Sequence, residues 1–369
     1  MALELGVFIP VGNNGWIISK NSPQYMPTYE MNRQISVLAE RVGFDYVFSM
    51  AKWRGFGGDT RFWDYSLEST MLMASLAPAT TELRLIASIA PSLVHPAVYA
   101  KMASTLDDIS HGRLVVNIVS AGNKDEYAQM GLYPENFESF RYEYTQEWLE
   151  VCKRLWTEDR VTHAGKYFTL EECESWPKPR QTPLPVVCAT ASETGFHFVG
   201  EHCDYAFLGA NTVERVKELS LSAKAIGKEH GHEIKTQVLV IAVLGNTEAE
   251  AQQMFNHYWD GADAEAISNV YRLRVRDKVL DRATVMRERY ESSGRLFYGG
   301  FPFVGGPESA AAFIEDLVTN GHVDGLVFSF QDYFDGLNTF HDRVLPLLRL
   351  RGVPLARAGA VLDRRLRAG

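Results

Sequence analysis

The residues best placed to do chemistry stand at the ends of apolar runs. Asn117 lies inside Leu114-Val115-Val116-Asn117-Ile118-Val119, and Ser88 closes Leu83-Arg84-Leu85-Ile86-Ala87-Ser88. A carboxamide among β-branched neighbours must find hydrogen-bond partners or cost about 1–3 kcal/mol. It is either a satisfied interior amide or a group facing a planar, hydrogen-bonding cofactor. Other polar clusters follow similar runs: Gly12-Asn13-Asn14-Gly15-Trp16, Ser49-Met50-Ala51-Lys52-Trp53-Arg54-Gly55, Ser120-Ala121-Gly122-Asn123-Lys124, Thr190-Ala191-Ser192 and Gln331-Asp332-Tyr333. Ser192 at a helix start, with Arg141 within reach, could hold a phosphate; a surface salt bridge is the plainer reading of Arg141.

Self-sufficient catalytic motifs are missing. There is no G-x-x-x-x-G-K-[ST], no H-E-x-x-H and no G-x-S-x-G. Gly55, Gly57 and Gly58 imitate part of a dinucleotide fingerprint, but Thr60 breaks it and no long helix follows. His95, His111, His163, His197 and His202 are scattered without metal-ligand spacing, so no metal site is expected. Lys52 and Lys124 leave a Schiff-base aldolase as a possibility, with no spacing to support it. A chain that looks like an enzyme yet lacks its own nucleophile or acid–base pair points to a bound cofactor as the source of reactivity.

The elements that must position these residues alternate. Strand-like runs at Leu5–Pro10, Asp45–Phe48, Leu83–Ser88, Leu114–Val119, Pro185–Ala189, Asp204–Leu208, Lys235–Leu244 and Gly325–Phe330 are separated by helical patterns. The helices are expected near Tyr29–Val42, Ser66–Ala77, His95–Ile109, Arg141–Trp156 and Pro307–Thr319. Others should start after Ser192, Thr212 and Thr247 and at about Leu337. Eight strand–helix units without a break predict an α/β fold, a closed (β/α)₈ TIM barrel spanning residues 1–369 as a single domain; a doubly wound sheet is the other arrangement. Residues 157–182 and 261–306 exceed the rhythm and are expected to be insertions. Arg351, Arg357, Arg364, Arg365 and Arg367 mark a basic tail over about 351–369, read as solvated or as an anion or partner contact. In a barrel of this kind the active site lies at the C-terminal strand ends, where the polar clusters above fall.

Composition narrows the function further. With 37 Lys and Arg against 46 Asp and Glu, the net charge is −9, a poor match for a nucleic-acid backbone. No apolar stretch is long enough to cross a membrane, and the N-terminus lacks the basic region of a signal peptide. The four cysteines, Cys152, Cys173, Cys188 and Cys203, are too sparse for a disulfide framework and suit a reduced, cytoplasmic protein.

The chain resembles the bacterial-luciferase-like flavin monooxygenases, and within them the pyrimidine monooxygenases of uracil catabolism. The resemblance is carried by Gly6–Pro10, Gly12–Trp16, Pro23–Thr28, Arg54–Gly58, Phe62-Trp63-Asp64, Leu67-Glu68-Ser69, Ser110–Arg113, Val116–Val119 and Glu126–Gly131. It implies a luciferase-like barrel that uses reduced FMN (FMNH₂) and O₂, with the reduced flavin supplied by a separate NAD(P)H:flavin reductase. It also implies a homo-oligomer, dimer or tetramer. Carried over by position, the flavin contacts are Ala51, Lys52, Asn117, Glu126, Arg141, Tyr142 and Ser192. Asn117 and Ser88, the latter in place of a threonine, would hold O₂ beside the reduced ring as the catalytic residues. The substrate pocket falls on Phe48, Met50, Gly122 and Asn123.

Three of those pocket positions depart from the family pattern: Gly122 replaces a tryptophan, Asn123 a glutamine and Phe48 a leucine. The lost indole at Gly122 favours a planar nitrogen heterocycle larger than uracil, such as riboflavin. Ring opening of uracil is the alternative, and it stands if Phe48 refills the space. Sulfonate or sulfone cleavage on the same fold and non-catalytic flavin binding are the remaining readings.

Overall fold

The computed structural model describes residues 2–120, 123–190, 193–275 and 296–357. Eight parallel strands close into a ring. In chain order they are β1 (Glu4–Phe8), β2 (Tyr46–Phe48), β3 (Arg84–Ile89), β4 (Leu114–Ile118), β7 (Val186–Thr190), β8 (Tyr205–Leu208), β9 (Lys235–Leu244) and β11 (Gly325–Phe330). Each pairs with the next, β11 pairs with β1, and the β8–β9 pairing completes the closure. The closed (β/α)₈ TIM barrel expected from the alternating runs is therefore present, with every expected strand in the ring.

Two further pieces lie outside the ring. β5 (Val161–Ala164) and β6 (Thr169–Cys173) form an antiparallel hairpin. The carboxylate of Glu147 gathers the amides of Lys166, Tyr167 and Phe168 onto the preceding long helix. β10 (Phe301–Gly305) pairs with the upper half of β9, Val240–Leu244, while the lower half pairs with β8. A ten-residue β9 can thus serve the ring and the flanking strand together.

Side-chain alternation sets two cores. On β3 and β4, Leu85 and Val116 pack outward against the helices, whereas Ile86 and Val115 point into the barrel. The same period sends Ser88, two residues past Ile86, and Asn117, two past Val115, inward at the C-terminal end. The first and second strands approach closely because Gly6 has no side chain; a Cβ there would stand 2.0 Å from the Tyr46 ring. At the N-terminal end, Glu4 accepts from Arg84 at 2.7 Å and from Lys235 at 2.7 Å, and Arg84 also donates to the Tyr205 hydroxyl at 2.6 Å. Charges at that end of a barrel serve stability.

The α-helices of the described residues are α1 (Tyr29–Arg41), α2 (Ser69–Leu76), α3 (Pro96–Ile109), α4 (Lys124–Ala128), α5 (Phe137–Thr157), α6 (Glu193–His202), α7 (Val213–Glu229), α8 (Glu248–Asp260), α9 (Ala264–Val275), α10 (Pro307–Thr319), α11 (Tyr333–Thr339) and α12 (Leu345–Leu350). Thr28, Thr212 and Thr247 cap α1, α7 and α8 as their side chains accept from the third residue on. Three boundaries differ from expectation. α2 starts at Ser69, where the Glu68 carboxylate accepts from Thr70 and Met71. α5 begins at Phe137, ahead of Arg141, because Phe137 is buried among Tyr133, Phe140 and Tyr144. α11 starts four residues before Leu337, capped by Asp332, which accepts from Phe334 and Asp335.

The basic tail begins as an anchored segment. Leu3 donates to Pro354 and accepts from Ala356, Arg357 donates its backbone amide to Asp45, and its guanidinium pairs with Glu82. Arg364, Arg365 and Arg367 lie outside the described residues. Among the described residues no helix is long and apolar enough to cross a membrane, and no cluster of His, Cys, Asp and Glu could hold a metal ion.

Candidate active site

Neighbouring strands build the innermost part of the site. Ser88 and Asn117 are partners in the β3–β4 register, so their inward side chains stand side by side. Asn117 Nδ2 donates to Ser88 Oγ at 2.7 Å. Ser88 Oγ in turn donates to the Ser49 carbonyl just past β2. The Ser88 amide donates to Ser69 Oγ at 2.8 Å, and Ser69 Oγ meets Ser49 Oγ. All four residues are buried, and among the described residues no donor reaches the buried Asn117 Oδ1.

A second pair lies at the same end of the barrel. Lys52, in the loop after β2, puts its ammonium 3.0 Å from the Glu126 carboxylate of α4, with both side chains nearly sealed from solvent. The other carboxylate oxygen of Glu126 accepts from the Trp53 amide at 2.7 Å. The ammonium also lies 4.3 Å from the centre of the Phe56 ring. The Lys52 amine is thus committed to an ion pair with Glu126.

A third group sits on α5. Arg141 is among the largest fully buried side chains, and its guanidinium lies 5.2 Å from the Tyr142 ring. Tyr142 reaches Phe198 of α6 at 6.0 Å between ring centres. Ser192 precedes α6 and, with Gly122, lies outside the described residues. Ala51, Met50 and Asn123 are half-buried. Asn123 occupies the cap position of α4 without making a capping bond. Phe48 is inside the barrel, stacked on Phe8 at 4.8 Å and tilted against Phe207 at 5.1 Å.

An aromatic roof covers this end. Trp16 meets Trp63 edge-on at 4.9 Å, and Tyr298 approaches Trp63 at 4.2 Å and Phe56 at 5.2 Å. Trp63 Nε1 donates to the Gly15 carbonyl at 2.6 Å, and the Tyr298 amide to the Trp16 carbonyl at 3.0 Å. The Asn13 and Asn14 amides are used as stitches to the backbone of Thr60 and Arg61. Asp263 holds the glycine-rich turn below the roof. It accepts from the Thr60 amide and hydroxyl at 2.7 Å each and from Ala266 at 3.1 Å. Burial pushes the Asp263 carboxyl up, but these donors outweigh it and hold the group below its usual range. Gly58 has φ of +77°, and a Cβ there would stand 2.6 Å from that carboxylate, so glycine is required twice over. Of the polar residues at the eighth strand, Gln331 exchanges two bonds with the Leu244 backbone and Asp332 caps a helix; both are structural.

The structure thus joins Asn117 to Ser88, Lys52 to Glu126 and Arg141 to Tyr142. Ser69, Asp263 and Tyr298 escaped the sequence reading of the site, and Ser49 entered it only as part of the polar cluster after the second strand. The only local signal for the serines was their place at a strand end and a helix start. Asp263 and Tyr298 act across more than 200 residues of chain.

An orphan acceptor inside the barrel, a buried ion pair and a buried guanidinium, all at the C-terminal face, fit a planar hydrogen-bonding ligand that carries an anionic end. Comparison with known proteins supplies the family. Residues 3–323 match the family model described as luciferase-like monooxygenase. The chain is 36% identical over 353 residues to the pyrimidine monooxygenase RutA of Acinetobacter baylyi, covering 95% of each chain. It is 38% identical over 361 residues to the RutA of Methylorubrum extorquens, covering 95% of this chain and 94% of that one. Among solved structures, riboflavin lyase RcaE, with modified FMN and its substrate riboflavin, superposes with a TM-score of 0.84 at 21% identity, covering 97% and 93%. EDTA monooxygenase EmoA from Chelativorans sp. BNC1 gives 0.82 at 20% identity, covering 96% and 95%. These two structures share the fold with the chain. The family match over most of its length identifies the chain as a member of the luciferase-like monooxygenases, flavin-dependent enzymes that use reduced flavin and O₂.

Proposed function

We propose that this enzyme is a two-component pyrimidine monooxygenase that opens a uracil-type ring. The carrying observation is the 36–38% identity, over 95% of the chain, to relatives named pyrimidine monooxygenase. The Asn117–Ser88 pair, which keeps a hydroxyl beside the amide, supports it. The reading that favoured a larger heterocycle such as riboflavin rests on Gly122, which lies outside the described residues. The likeness to riboflavin lyase is one of fold. Phe48 fills the barrel interior beside Phe8, which supports a small ring over a large one.

FMNH₂ from a separate NAD(P)H:flavin reductase would supply the two electrons that activate O₂ for attack on the substrate ring. Arg141 and Tyr142, with Ser192, would hold the phosphate end. Asn117 and Ser88 orient the reacting partners at the strand ends, and Lys52, Glu126 and Ala51 position the ring. Met50 and Asn123 would border the substrate. The roof of Trp16, Trp63 and Tyr298 excludes water, so that hydrogen bonds inside act at low dielectric. The site is expected to work in a cytoplasmic homo-oligomer.

The test is aerobic turnover with FMN, NADH and a flavin reductase, read by mass spectrometry on uracil, thymine and riboflavin separately. Ring-opened uracil or thymine, dependent on both proteins, is the expected result. Cleavage of riboflavin with uracil untouched would replace the proposal with the larger-substrate reading. Flavin binding without any product would favour a non-catalytic flavin protein.

A further inference from the structure

The Asn117 amide has its orientation imposed on it. Ser88 has a single hydroxyl hydrogen, and it is donated to the Ser49 carbonyl, which can only accept. Ser88 Oγ therefore faces Asn117 as an acceptor, and only Nδ2 can satisfy it, at 2.7 Å. Turning the amide over would set Oδ1 against the Ser88 lone pairs and leave both oxygens buried without donors. Ser88 cannot turn in response, because the Ser49 carbonyl would then lose its hydrogen. The result is a buried carbonyl oxygen, Asn117 Oδ1, that no donor in the described structure reaches.

We infer that Ser88 is a positioning residue that locks Asn117 as a hydrogen-bond acceptor, and that the lock makes the site select reduced flavin over oxidised flavin. The inference rests on the flavin reading of the site. Reduced flavin carries an N–H at its central ring, whereas the same nitrogen of oxidised flavin is a bare acceptor. A fixed buried acceptor pairs with the first and repels the second. A freely turning amide would serve both equally well and would select neither. Because the Ser88 hydrogen is already committed to Ser49, Ser88 acts through Asn117 and has no hydrogen to donate to the ligand.

The experiment is anaerobic binding of FMN and of chemically reduced FMN to the full chain, with the affinity ratio as the readout. The same ratio appears as the midpoint potential of bound FMN, about 30 mV per tenfold for a two-electron couple. Wild type is expected to bind the reduced form more tightly. Ser88→Ala should shrink the ratio roughly tenfold, mainly by weakening the reduced form, because the amide is released. Ser88→Thr keeps the hydroxyl and should restore the ratio. Asn117→Leu, which removes the acceptor, should lower it as Ser88→Ala does and serves if that variant does not fold. Ser69→Ala disturbs the same buried cluster without touching the lock, and should leave the ratio within about twofold. A ratio indifferent to residues 88 and 117, or one moved as much by Ser69→Ala, overturns the inference while leaving the flavin reading in place. If wild type binds neither form, the flavin reading and the inference fall together.

Discussion

Asn117 and Ser88 stand opposite each other on adjacent parallel strands, and the amide of the first is held at 2.7 Å by the hydroxyl of the second. Both are sealed inside the C-terminal end of the barrel, and one amide oxygen is left to receive a donor. A polar pair in this setting costs stability unless a ligand completes it, and that places it at the centre of the proposed chemistry.

Asn117→Ala should uncouple the enzyme. Product formed per NADH consumed is expected to fall roughly tenfold or more, with the balance released as hydrogen peroxide, while affinity for oxidised FMN changes by no more than about twofold. Parallel measurement of product, NADH and peroxide checks it. Unchanged product yield would remove Asn117 from the reaction.

Breaking the Lys52–Glu126 pair should be felt in the fold. Glu126→Ala leaves a buried ammonium without its carboxylate and the Trp53 amide without its acceptor, and is expected to cost about 3–5 kcal/mol in urea unfolding. Lys52→Met with Glu126→Leu should recover part of the loss, because two apolar groups replace two charges. Recovery of stability without recovery of FMN binding would separate the structural part of the pair from its ligand contact.

Acid should loosen the roof through Asp263. Its carboxyl is held below the usual range in the folded chain, so the ionised form adds stability above the unfolded value, near 4. That contribution is lost as pH falls through the lower folded value. Asp263→Asn is expected to cost about 1–3 kcal/mol at pH 7, and the gap to wild type should close as pH falls below 4. Unfolding curves for both proteins from pH 7 to pH 3 measure the gap. A gap that stays constant would assign the loss to something other than the carboxylate charge.

The N-terminal end of the barrel should separate stability from catalysis. Glu4→Gln weakens the bonds to Arg84 and Lys235, and is expected to lower stability by about 1–3 kcal/mol. Product formation at 25 °C should be unaffected, since Glu4 lies at the end opposite the proposed site. Chemical unfolding and steady-state turnover on one preparation test both halves.

The sequence was most informative where structure is local. Each ring strand is a short apolar run, and the threonines at 28, 212 and 247 mark helix starts through a bond to the third amide onward. Asn117 stood out because it interrupts such a run. The lock on it did not, because it is assembled from β3, β4 and the residue that follows β2. Residues such as Asn13, Asn14, Gln331 and Asp332 looked available in sequence, yet they spend their polar atoms on backbone. The roof was hidden for the opposite reason. Trp63 and Tyr298 meet at 4.2 Å across a separation that no periodicity encodes. Phe48 stacks on Phe8 across neighbouring strands, a contact that spacing along the chain does not encode.

The most direct test of the central claim is ring opening of uracil under ¹⁸O₂, with reduced FMN supplied by a flavin reductase and the product analysed by mass spectrometry. A ring-opened product carrying one ¹⁸O atom, formed only with this chain present, is the expected result. Product without the label, or label in peroxide alone while uracil stays intact, would contradict it.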